Sequence, residues 1–133
     1  MYDRPAETVT FVENHDLARD KSIIHDKLLA YAFILTHEGY PCVFWQDYFN
    51  WNLGQEGNHS GIAALVRVHE KYAGGSTRIL YVDDDLYVMQ RDGNDAQRGL
   101  VLVLNNTQQL EWNVGANPMD RHTSFSAFLV VLL

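Results

Sequence analysis

Cysteine is almost missing from this sequence: Cys42 is the only one in 133 residues. An intrachain disulfide is therefore excluded, and cysteine usage leaves the redox compartment open. Basic residues are scarce as well, with 10 Lys and Arg against 17 Asp and Glu and a formal charge of -7. Phosphate backbones are held by clustered Lys and Arg, so nucleic acid is not an expected partner. No apolar run reaches the ~20 residues that a membrane helix needs. The opening "MYDRPAETVTF" is polar and has no apolar stretch of the kind found in signal peptides. A soluble chain is expected, with no membrane partner, and its localisation is left undetermined.

Metal and phosphate motifs are missing too. His15, His25, His37, His59, His69 and His122 show neither HExxH nor paired Cys/His spacing. "VDDDLYV" begins like a calcium loop but has neither the glycine nor the distal glutamate of one, which makes it a solvated turn. Gly74-Gly75 is not followed by the Lys-Ser/Thr of a phosphate loop. No metal site is expected within this chain.

What is present has a clear order. "TVTFV" (8–12) reads as a strand and "DKSIIHDKLLAYAFILTHEG" as a helix. Ile24, Leu28, Tyr31, Ala32 and Leu35 recur at helical spacing there, with Lys21, Asp26 and Lys27 on the polar side. Asp16 or Asp20 is placed to cap its start, and Gly39 to end it. "YPCVFW" (40–45) is a continuous apolar run, the pattern of a strand covered on both faces. A polar, aromatic loop follows. "SGIAALVRVHEKYAGG" then gives a second helix, with Ile62, Leu65, Val66, His69 and Tyr72 on one side. Strand, helix, strand, helix is the grammar of a parallel sheet.

The grammar changes at Ser76. "TRILYV", "LYVMQR" and "GLVLVLN" read as strands separated by Asp83-Asp84-Asp85 and Asp92-Gly93-Asn94, which predicts antiparallel hairpins. A domain boundary is placed near Gly74, dividing the chain into 1–75 and 76–133. The end of the sequence has no clear register, and "FLVVLL" has no evident place to be buried.

The candidate site is Asn14-His15-Asp16, at the end of the first strand. Taken alone, such a triplet is more often a turn and helix cap than a site, because Asn and Asp bond nearby backbone and Asp complements a helix dipole. Position favours the other reading: in barrels of alternating strands and helices, polar groups at the carboxyl ends of strands build the active site. In "VFWQDYFNW", core packing is as good an account of Phe44, Trp45 and Phe49 as sugar stacking. Tyr48 and Trp51, flanked by polar residues, are the better surface candidates.

Together these blocks resemble the carboxyl-terminal third of the alpha-amylase family of retaining glycoside hydrolases, over roughly residues 6 to 112. "TFVENHD" is similar to the motif ending the seventh barrel strand. "AYAFILTHEGYPCVFWQDYFNW" is similar to the seventh helix and eighth strand, and "GIAALVRVHEKYAGG" to the eighth helix. "TRILYVDDDLYVMQRDG" and "GLVLVLNN" resemble the opening of the β-domain after the barrel. The resemblance implies an α/β plus all-β fold: the last two β/α units of a TIM barrel (1–75), then a partial antiparallel β-domain (76–133).

By that resemblance Asp16 is the transition-state stabiliser and His15 binds hydroxyls of the same sugar. Asn14 holds the turn, and Tyr48 and Trp51 are further substrate-binding candidates. The implied substrate is an α-glucan such as starch, and the structural calcium of the family is implied to lie outside this segment. The family is often secreted. Its nucleophile and general acid come from earlier strands, and a full barrel alone takes ~250 residues, so the segment itself is expected to be inactive. Trp45-Gln46-Asp47 stands where many relatives have a glycine, and similarity fades after Trp112. The alternative is a non-catalytic carbohydrate-binding or structural module. Exposed strand edges predict self-association.

Overall fold

The computed structural model describes residue 4 and residues 7–20, 26–55 and 61–106, together with strand backbones at 110–112, 123–125 and 128–132. Helices and strands are mixed in two parts. The first contains β1 (Val9–Phe11), α1 (His15–Asp20), α2 (Lys27–Thr36), β2 (Tyr40–Cys42) and α3 (Ile62–Tyr72). The second contains β3 (Thr77–Val82), β4 (Leu86–Arg91), β5 (Leu100–Asn105), β6 (Leu110–Trp112), β7 (Thr123–Phe125) and β8 (Phe128–Leu132).

β1 and β2 are parallel neighbours in register Val9–Tyr40, Thr10–Pro41 and Phe11–Cys42, as the alternating grammar predicts. The connection differs from the single helix expected over 20–39. One helix starts at His15 and another at Lys27, while residues 21–25, with Lys21 and Ile24, lie outside the described residues. Asn14 caps α1, its side-chain oxygen accepting from the backbone N–H groups of Asp16 (3.1 Å) and Leu17 (3.0 Å). The helix that begins at Lys27 has Asp26 at its N-cap position, with no side-chain cap hydrogen bond. The expectation that 40–45 is covered on both faces is also corrected: Tyr40 and Cys42 are exposed, and so are Val9 and Phe11 beside them. Pleating puts alternate residues on one face, and that face is open among the described residues.

The second part matches the expected strands closely. β3, β4, β5 and β8 form a four-stranded antiparallel sheet in that order, and β6 pairs antiparallel with β7. The β3–β4 turn is fixed by Asp83, whose Oδ1 accepts from the N–H groups of Asp85 (2.9 Å) and Leu86 (2.7 Å). β8 gives the apolar end a register: Phe128–Leu132 pairs with β5, Leu100 opposite Leu132. Such a pairing joins segments far apart in sequence, which no local pattern announces.

One core joins helices to sheet. Tyr31, Ala32 and Leu35 of α2 and Ile62 and Leu65 of α3 pack with Met89, Leu100 and Leu102. Leu86, Val88, Val101 and Val103 are buried on the opposite sheet face. β5 is thus an unbroken apolar run because both of its faces are covered. Polar contacts cross the same boundary. Arg91 donates to the carbonyls of Thr36 (2.8 Å) and Gly75 (2.7 Å), closing off a helix end that would otherwise leave carbonyls unpaired. Gly75 has φ of +77°, and a Cβ there would lie 2.1 Å from the Gly93 carbonyl oxygen, so this crossing requires glycine.

His37, buried at the end of α2, is a second bridge. Its Nδ1–H donates to the Phe33 carbonyl (2.8 Å), and its Nε2 lies 2.7 Å from the Tyr87 hydroxyl of β4. A carbonyl only accepts, so neutral His37 carries its proton on Nδ1 and Nε2 accepts from Tyr87. Burial chiefly, and the charge of Arg91, hold its pKa below the ordinary histidine value against the pull of the Phe33 carbonyl and Glu38. The folded state therefore takes up this proton less readily than the unfolded chain. The stability contributed by neutral His37 is complete above about pH 6.5 and declines as pH falls below it. Urea unfolding between pH 7.5 and 5.5 should show that decline flattened in His37→Gln; equal slopes in both proteins would contradict it.

Candidate functional site at the carboxyl ends of the parallel strands

Because β1 and β2 run parallel, the residues after Phe11 and after Cys42 emerge at the same end of the pair. His15 and Asp16 follow β1 there, both exposed. Phe44 follows β2, and its ring meets the His15 ring edge-on, with centroids 5.1 Å apart at 83°. Asp16 contacts Arg19 across one helical turn at 3.9 Å, an exposed pair that contributes little. Its carboxylate remains open to solvent, on the first turn of α1, where the helix dipole favours negative charge.

Beneath this rim lies a charged cluster that sequence reasoning missed. Lys27, expected on the polar face of its helix, is only 8% exposed, and Glu13 and Asp47 are 2% and 0% exposed. Lys27 Nζ donates to Glu13 Oε2 and Asp47 Oδ1, each at 2.5 Å, and lies 5.1 Å from the centroid of the Trp51 ring. The Tyr31 hydroxyl donates to Asp47 Oδ2 (2.6 Å) and accepts from the Phe44 backbone N–H (3.2 Å). Burial alone would lower the Lys27 pKa, but the hydrogen bonds and charges of Asp47 and Glu13 outweigh it and hold the ammonium above its ordinary value. Burial first, then the bond to Asp47, pushes the Tyr31 phenol well up. Lys27 therefore stays an ammonium, held between the Glu13 and Asp47 side chains.

The aromatic loop is arranged differently from the flanking-residue expectation. Gln46–Asn50 forms a π-helical turn, closed by the Trp51 N–H donating to the Gln46 carbonyl at 2.9 Å. Trp45 and Phe49 face solvent with ring centroids 4.1 Å apart, and Trp51 is exposed. Tyr48, placed at the surface by its polar neighbours, is instead half-buried against the main core. A separate cleft between α2 and the turn at 83–85 is lined by Leu29, Phe33, Asp84 and Leu104, and no rim residue borders it.

The described residues provide no cradle for calcium. No three His, Cys, Asp or Glu side chains among them converge. Asp83, the first of the acidic run, is engaged by backbone N–H groups and by the Tyr81 hydroxyl (2.7 Å).

The fold and rim define a class: a parallel strand pair crossed by helices, with an imidazole and a carboxylate at its carboxyl end, joined to an antiparallel sheet. No family model matches the chain. Individual relatives do. It is 34% identical over 96 residues to the alpha-amylase type B isozyme of Hordeum vulgare, covering 67% of this chain and 60% of that protein. To the alpha-amylase of Geobacillus stearothermophilus it is 37% identical over 102 residues, covering 70% and 18%. To the cyclomaltodextrin glucanotransferase of Niallia circulans it is 30% identical over 111 residues, covering 68% and 15%. The chain belongs to the alpha-amylase family, of which it represents a partial segment. It spans between 15% and 60% of the length of these three relatives.

Proposed function

We propose that the chain supplies the last two β/α units of a catalytic TIM barrel and part of the β-domain behind it. The whole enzyme would hydrolyse α-1,4-glucosidic bonds of starch-like glucans with retention. The observation that carries this reading is the placement of His15 and Asp16 a few residues past the carboxyl end of β1, beside its parallel neighbour β2. Barrel active sites are built at that end of the strands. Asp16 would set a negative charge beside the oxocarbenium-like transition state, and His15 would bond hydroxyls of the same sugar. The nucleophile and general acid of retaining chemistry would come from other parts of the protein. So would the calcium implied by the family.

On this reading the 133-residue chain binds α-glucan without hydrolysing it. It also self-associates, because Val9, Phe11 and Tyr40 form one exposed apolar patch and Ile79, Leu80, Tyr81 and Val82 of edge strand β3 another. A second reading, a non-catalytic carbohydrate-binding module, draws on the exposed Trp45, Phe49 and Trp51. Calorimetric titration of the purified chain with maltoheptaose, a reducing-sugar assay on starch and size-exclusion chromatography test both. Binding weakened by His15→Ala but little changed by Asp16→Asn, with no sugar released and an oligomeric elution, supports the first reading. Binding lost only with Trp51→Ala favours the second. Starch hydrolysis by the pure chain would refute the inactive-segment reading.

A further inference from the structure

We infer that Lys27 is the positioning residue of the His15–Asp16 rim, fixing it through a closed circuit of contacts anchored on Glu13 and Asp47. The inference rests on the proposed role of that rim. Start at Glu13, two residues before His15. Its carboxylate is held by Lys27 (2.5 Å), which also holds Asp47 (2.5 Å). Asp47 accepts from Tyr31 (2.6 Å), Tyr31 accepts from the backbone of Phe44 (3.2 Å), and the Phe44 ring supports the edge of His15 (5.1 Å). The circuit therefore returns to the rim by a second route. It ties the ends of both parallel strands to one helix, α2.

Chemistry explains the need for such a device. The segment from Val12 to Asn14 has left the β1–β2 ladder, so backbone pairing no longer fixes it. His15 and Asp16 are themselves exposed, with little packing of their own. A buried ion group with most of its hydrogen-bonding capacity filled has few alternative geometries, and it can specify conformation even where its net contribution to stability is small. Lys27 is central because it alone carries positive charge in the circuit and meets both carboxylates.

The test uses the full 133-residue chain. Glu13→Gln keeps the shape and the Lys27–Asp47 pair; Lys27→Met removes the cation. The His15 ring proton signals, shifted by the Phe44 ring beside them, report rim geometry by NMR independently of any sugar. Titration with maltoheptaose reports the consequence. Both variants should move or broaden the His15 signals and weaken maltoheptaose binding about tenfold, within the range of couplings through one network. Arg78→Ala, at the exposed Arg78–Asp92 pair in the sheet, should change neither. If Lys27→Met does not fold, Glu13→Gln decides alone. Unchanged His15 signals in a folded Glu13→Gln chain overturn the inference. Displaced signals with no maltoheptaose binding even in the unaltered chain uphold the positioning and instead count against the proposed function.

Discussion

Replacing Asp16 by Asn in the complete enzyme, on the function proposed above, is expected to lower kcat by about a hundredfold or more while KM changes little. Asn is nearly the same size, so the helix cap by Asn14 and the edge contact between His15 and Phe44 persist. What disappears is a negative charge at the place where positive charge develops on the sugar. An interaction made chiefly in the transition state appears in kcat rather than in ground-state binding. His15→Ala differs in kind: contacts to sugar hydroxyls exist before the reaction as well as during it, so both KM and kcat should suffer. Single-turnover kinetics on the two variants measures the contrast. Near-normal turnover in Asp16→Asn would remove Asp16 from the chemistry and leave it as a residue of the first turn of α1.

Why the antiparallel strands are legible in the sequence while the buried cluster of Lys27 and Asp47 is not follows from what local pattern encodes. β3 and β4 begin and end where the sequence pattern puts them, and β5 begins one residue later, because Asp83–Asp85 and Asp92–Asn94 punctuate apolar runs with residues that bond their own backbone. Partner strands are another matter: Phe128–Leu132 reads as apolar, but nothing local says that it pairs with β5. The charge of Lys27 suggests the polar face, although it stands four residues before Tyr31, on the same helical stripe. A lysine on an apolar stripe, together with an aspartate inside "VFWQDYFNW", is the pattern that could have announced a buried pair. The polar neighbours of Tyr48 likewise suggest the surface. A helical turn puts residues four apart on one side, so Trp45 and Phe49 stack outward while Asp47 and Tyr48 turn inward. Reading the loop as extended hides that division.

The largest expected loss of stability comes from Asp47→Ala, about 3–5 kcal/mol, the range for breaking a buried ion pair from one side. Asp47 is fully buried and accepts from both Lys27 and Tyr31. Without it, Lys27 retains Glu13 and the Trp51 face but loses its second carboxylate, and the Tyr31 hydroxyl loses its acceptor inside the core. An unsatisfied buried donor costs its full desolvation, whereas the bond it made contributed much less. Tyr31 is itself fully buried in the cluster that joins α2 to α3 and to the sheet, so the disturbance lies at the centre of the molecule. For a chain of this size the loss corresponds to a fall in Tm of roughly 10–20 °C. Asp47→Asn is the informative companion, because its amide oxygen can still accept from Lys27 in the same shape. It should therefore lose less than half as much. Calorimetry on the two variants separates the outcomes, and equal losses would show that the charge of Asp47, rather than the hydrogen bonds it completes, holds the two strand ends to the helix.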